Sequence, residues 1–182
     1  MRLILALCLS LASLTSAYAS ETPAIRTLTA DETARLKEGD TVSVLAFDTK
    51  TELVVPPTKV TAATRPSIVA AIRGIRLGGD TYISCGLDEG LKELSRARAL
   101  GSPADVERMI LLSDGEPTSG LRDPDAFLGI GKLATSAGVS ITTIGVNVDF
   151  NERVMTSIAL ASNGGHYFVA NESGLPAVFE AE

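Results

Sequence analysis

A chain of 182 residues is long enough for one domain with a sizeable buried core and too short for two ordinary ones. With 45% hydrophobic and 21% charged residues it is too apolar to be disordered, and 22 Asp and Glu against 16 Lys and Arg leave a net charge of -6 that repels phosphate backbones and anionic membrane surfaces. One His, two Cys and no Trp give a zinc centre of the usual Cys/His kind, or a Cys-His nucleophile, almost nothing to draw on.

Residues 1–19 have a secretory layout. Met1 and Arg2 precede an apolar stretch from Leu3 to Leu14, broken only by Cys8, Ser10 and Ser13, and Ala17-Tyr18-Ala19 supplies the small residues for cleavage before Ser20. The stretch is shorter than the roughly 18 to 20 residues of a membrane span. Leu7 before Cys8 is too bulky for a lipoprotein signal, so no membrane anchor is expected after cleavage. The expectation is an exported protein, periplasmic or extracellular, in which Cys85 stands alone without a disulfide.

Residues 20–38 read as a short linker with Pro23, followed by a remnant helix from Thr29 to Glu38 that Gly39 closes. The domain proper is expected over 39–182. Thr41 to Phe47 is a β-branched apolar strand, and Asp48-Thr49-Lys50 turns it into an edge strand, Glu52 to Val55, that Pro56-Pro57 should stop. From Pro66 the spacing of Ile68, Val69, Ile72 and Ile75 is helical. After the loop Gly78 to Ser84 a second helix turns Leu87, Leu91 and Leu94 inward and Asp88, Glu89, Lys92 and Glu93 outward. Met109 to Leu112 and Ile141 to Val146 are continuous apolar runs, the signature of parallel strands covered on both faces. Helices are expected at Asp123–Ala137 and Glu152–Ala161, a last strand at His166–Val169, and a final helical turn at Leu175–Phe179. Alternating strands and helices predict an α/β fold, a Rossmann-like open and mostly parallel sheet with helices on both faces, whose site lies at the carboxyl ends of the strands.

Two residues at those ends carry oxygen ligands suited to a hard divalent cation such as magnesium: Thr81, in the tight turn before the second helix, and Asp114, where the strand beginning at Met109 leaves the sheet. The structural alternatives are a helix cap for Thr81 and a turn with Gly115 for Asp114. Glu116 and Thr118 share this rim, either shaping partner choice or simply solvated.

Four segments in order, Gly39-Asp40 to Phe47-Asp48, Gly79-Asp80-Thr81 to Ser84 with Gly86-Leu87, Ile110-Leu111-Leu112-Ser113-Asp114-Gly115-Glu116-Pro117, and Thr143-Ile144-Gly145-Val146 with Asp149 to Glu152, resemble a bacterial von Willebrand factor type A domain over roughly residues 30–182. The resemblance implies a metal-ion-dependent adhesion site, with Thr81 as the second-loop ligand and Asp114 as the third-loop ligand of a magnesium ion. It further implies a protein partner that completes the metal shell with an acidic side chain. The activity implied is adhesion or assembly rather than catalysis. The alternative is an incomplete structural domain without metal-dependent binding.

One part of that pattern is absent. The family's first motif, Asp-x-Ser-x-Ser after the central strand, has no match in residues 20–38, so the site loses a carboxylate and two hydroxyls and any Mg2+ should be weakly held. The missing strand also leaves a central gap in the sheet. Three arrangements answer it: a truncated or rearranged product, which the sequence favours; a strand donated by a partner; or retention of the apolar leader as the strand. In the third, Cys8, Ser10 and Ala12 stand where the motif's Asp, Ser and Ser would.

The remaining candidates are read structurally. His166 has no nucleophile and orienting acid beside it and is taken as a strand residue. Cys85 is taken as a packed small residue. Gly129 and Gly131 lie inside a helical stretch, which removes a phosphate-binding role. Gly86 and Gly90 let their helix approach the sheet closely.

Overall fold

A computed structural model describes residues 2–8 (as backbone), 36–76, 80–99, 106–113, 116–146, 151–170 and 172–181. The order of elements is β1 (Arg2–Cys8), β2 (Thr41–Phe47), β3 (Thr51–Lys59), α1 (Arg65–Arg73), α2 (Ile83–Ala99), β4 (Glu107–Ser113), α3 (Pro124–Ser136), β5 (Ser140–Val146), α4 (Glu152–Ala161), β6 (His166–Val169), a short 3-10 turn and α5 (Leu175–Ala181). Six strands form one sheet in the order β3-β2-β1-β4-β5-β6, parallel except for β3 at one edge. Among the described residues no helix is long and apolar enough to cross a membrane.

Alternation along each strand divides the core into two layers. On β4, Ile110 and Leu112 face one side with Val44 and Ala46 of β2, where Ile68 and Ile72 of α1 and Leu175 and Val178 of α5 cover them. Met109 and Leu111 face the other with Leu45 and Phe47, beneath Leu87 and Leu94 of α2, Phe127 of α3 and Val154 and Ile158 of α4. Because β2, β4 and β5 are buried on both faces, their sequences read as largely apolar runs.

The central gap is filled by the chain itself. Arg2–Cys8 pairs in parallel with β2, Arg2 opposite Thr41, and with β4, Arg2 opposite Glu107 through Cys8 opposite Ser113. In this sheet the slot is therefore occupied by Arg2–Cys8 rather than left open.

Three details differ from expectation. β3 does not stop at Pro56 but runs to Lys59. As an edge strand its outer backbone needs no donors, and the ladder accommodates the prolines by shifting register around Val44, with the Ser43 hydroxyl donating to the Val55 carbonyl at 2.8 Å. Residues 36–38 are a turn rather than the end of a helix, although Gly39 does adopt φ +95° and donates to the Val60 carbonyl. The rest of the expected remnant helix, and the linker, lie outside the described residues. Glu93, expected outward, is 2% exposed, and its carboxylate accepts from the Arg96 guanidinium one turn later.

Close approaches account for two of the glycines. A Cβ at Gly86 would stand 2.8 Å from the Phe47 ring, so α2 reaches the sheet only without a side chain there. At Gly131 it would stand 2.6 Å from the Ala161 methyl, which makes that residue a contact between α3 and α4.

Candidate functional site

At the carboxyl ends of β2 and β4 three loops converge on Thr81. From the loop after β2, the Asp48 carbonyl accepts from the Tyr82 N–H at 3.1 Å, and the Thr49 hydroxyl accepts from the Asp80 N–H at 3.4 Å. From the loop after β4, the Thr118 hydroxyl accepts from the Thr81 N–H at 2.7 Å, while the Thr118 and Ser119 N–H groups donate back to the Thr81 carbonyl at 3.1 and 3.4 Å. The Leu121 N–H donates to the Ser84 hydroxyl at 3.2 Å. Gly120 turns this loop at φ +72°, directly against the Tyr82 ring.

Both backbone groups of Thr81 are thus satisfied, and its side chain is not. The residue is 1% exposed, and its Oγ1 is buried without a hydrogen-bond partner. A helix cap would show that oxygen accepting from α2, which begins at Ile83, so the capping alternative does not hold. Buried hydroxyls left unpaired are costly and uncommon, and a bound ion or an ordered water is among the few explanations for them. A lone hydroxyl oxygen at a loop junction suits a hard cation, which takes oxygen ligands and keeps several waters. No group of three or more His, Cys, Asp or Glu side chains that could hold a metal occurs among the described residues.

Asp114, the other proposed ligand, lies outside the described residues, as do Gly78, Gly79, Asp149 and the positions Ser10 and Ala12. It follows in sequence Ser113, the fully buried last residue of β4. The rim residues are more engaged than their sequence suggests. Thr118 grips Thr81, and the Glu116 carboxylate accepts from the Asn151 side-chain amide at 2.6 Å. Sequence reasoning missed Asp80 and Ser119 altogether. The Asp80 carboxylate accepts from the Ser119 hydroxyl at 2.8 Å and from the Thr118 hydroxyl at 3.4 Å. The available signal was the run Thr118-Ser119-Gly120, two hydroxyls before a turn glycine, which favours local side-chain to backbone bonding.

The other singled-out residues lie elsewhere. His166 begins β6 opposite Thr143 of β5. Since the Thr143 hydroxyl donates its one proton to the Met155 carbonyl at 3.0 Å, it accepts from His166 Nδ1 at 2.9 Å, which fixes the neutral tautomer. Burial holds the imidazole below its ordinary pKa, with the Glu152 carboxylate and a hydrogen bond with the Thr143 backbone opposing more weakly. Cys85 is half-buried, and its sulfur accepts from the Thr51 hydroxyl at 3.1 Å.

Comparison with known proteins agrees with this architecture. The von Willebrand factor type A domain pattern matches residues 22–181. The uncharacterized protein sll0103 of Synechocystis sp. is 32% identical over 139 residues, covering 76% of this chain and 31% of the relative, so the chain spans about a third of that protein. Among solved structures, a von Willebrand factor type A protein from Catenulispora acidiphila superposes with a TM-score of 0.76 at 17% identity, over 99% of this chain and 41% of that one. Proximal thread matrix protein 1 of the mussel byssus, with a zinc-occupied MIDAS motif, superposes with a TM-score of 0.70 at 20% identity, over 99% of this chain and 44% of that one. Domains of this type are generally protein-interaction modules, and they can hold a metal ion at the MIDAS site. With the sheet, its order and the pattern match in agreement, the chain belongs to the von Willebrand factor type A domain family.

Proposed function

We propose that the protein is an exported, non-enzymatic interaction module whose reduced metal-ion-dependent adhesion site uses Thr81 and Asp114. The buried, unpartnered Thr81 hydroxyl at the carboxyl end of the sheet carries this reading. Thr81 Oγ1 and the Asp114 carboxylate would hold a magnesium ion, which when bound supplies a Lewis-acidic position for a partner's carboxylate. The zinc-occupied MIDAS motif of the mussel protein, on a similar fold, supports a cation at this place. A chain of net charge -6 repels an acidic partner on average, so a cation is what makes such a contact favourable.

The site is degenerate because Cys8 ends β1 where the family pattern has its first carboxylate. One carboxylate facing a doubly charged ion gives weak, readily exchanged binding. The apolar layout of residues 1–19 supports export, and in the full chain Arg2–Cys8 pairs between β2 and β4.

Calorimetric titration of the full chain with Mg2+ and Mn2+ tests the reading. Saturable heat that Asp114→Ala and Thr81→Val abolish is expected. Heat equal to that of buffer alone would leave an incomplete structural domain without metal-dependent binding.

A further inference from the structure

The polar groups around Thr81 are connected in a way that the cation reading does not use. Thr118 meets Thr81 twice, its hydroxyl accepting from the Thr81 N–H at 2.7 Å and its own N–H donating to the Thr81 carbonyl at 3.1 Å. Its hydroxyl proton is directed to Asp80 Oδ1 at 3.4 Å, and the Ser119 hydroxyl donates to Asp80 Oδ2 at 2.8 Å. One short segment after β4 therefore binds the backbone on both sides of the Thr81 side chain and both carboxylate oxygens of its neighbour.

We propose that Thr118 is the positioning residue of the cation site, holding the Thr81 peptide so that its hydroxyl points inward and drawing the Asp80 carboxylate to the rim. This rests on the reading of Thr81 as a ligand. Three observations point the same way. The Thr81 hydroxyl is buried with no hydrogen bond of its own to fix it, so the peptide must fix it. The Thr81 peptide has both its donor and its acceptor on Thr118. Asp80, an exposed carboxylate adjoining the site, accepts on both oxygens from hydroxyls of the same loop, which anchors it at the rim.

Thr118→Val keeps the shape and the N–H to carbonyl bond while deleting the hydroxyl, and Thr118→Ser restores it. In the full chain, titration with Mn2+ should show binding on the order of two- to tenfold weaker for the Val variant, the effect of one net hydrogen bond, with recovery for the Ser variant. Hydrogen exchange of the Thr81 amide, measured without cation, should speed up by a similar factor in the Val variant alone. Equal Mn2+ affinity and equal Thr81 exchange in wild type and the Val variant would overturn the proposal. If the wild type binds no Mn2+, the cation reading fails on its own. Exchange at Thr81 then decides the positioning role, faster exchange supporting it and unchanged exchange overturning it.

Discussion

Cys8 stands opposite Ser113 across the parallel ladder between β1 and β4, so the end of the first apolar segment lies beside the strand that leads to Asp114. The segment that reads as an export leader is thereby the middle of the sheet. Leu5 is paired with Val44 on one side and Ile110 on the other.

Leu5→Pro should therefore unfold or severely destabilise the full chain, by about 3 kcal/mol or more, because a proline in a central strand removes a ladder donor and clashes with its surroundings. The edge strand β3 already carries Pro56 and Pro57 at an accommodated register shift. Thermal melts followed by circular dichroism check this. A Leu5→Pro variant melting like the wild type would show that β1 is dispensable.

Cleavage after Ala19 would remove all of β1. Folded protein recovered from its host should accordingly retain the segment, and intact-mass spectrometry should show residues 2–8 present. An amino terminus at Ser20 on folded material would contradict this sheet.

Gly86→Ala should cost about 1 to 3 kcal/mol, since its Cβ would meet a fully buried Phe47 ring that has no room to move. Gly129→Ala, in the interior of α3 with nothing within 4 Å, should instead stabilise by about 1 kcal/mol. Urea unfolding of the two variants checks the pair, which should move in opposite directions.

These contrasts mark what the sequence makes legible. β4 and β5 are evident because strands covered on both faces need unbroken apolar runs, and α4 is bounded by its Asn151 cap, whose side chain accepts from Val154 N–H. Glu93 is hidden because its burial depends on what α2 packs against, not on its spacing along the helix. The ends of β3 are hidden because the register shift that admits Pro56 and Pro57 belongs to the pairing with β2. At the site, the oxygen chemistry of Thr81 is visible, whereas its grip by Thr118 joins residues 37 positions apart and leaves no local trace.

His166 provides a pH dependence of known sign. Its folded-state pKa lies below the ordinary 6.5 because burial disfavours the imidazolium. The unfolded chain thus binds the proton more readily, and stability is lost as pH falls from about 6.5 toward the lower folded value. His166→Asn, which keeps a side-chain N–H for the Thr143 hydroxyl, should flatten that part of the profile. Urea midpoints for both proteins between pH 5 and 7.5 check it, and parallel profiles would contradict the assignment.

The cation cradle itself is tested most directly by crystals of the full chain grown with Mn2+ and measured above the manganese absorption edge. An anomalous peak at about 2 Å from both Thr81 Oγ1 and an Asp114 carboxylate oxygen is the predicted result. A map with no peak at the carboxyl ends of β2 and β4, or with Thr81 Oγ1 hydrogen-bonded to protein instead, would contradict it.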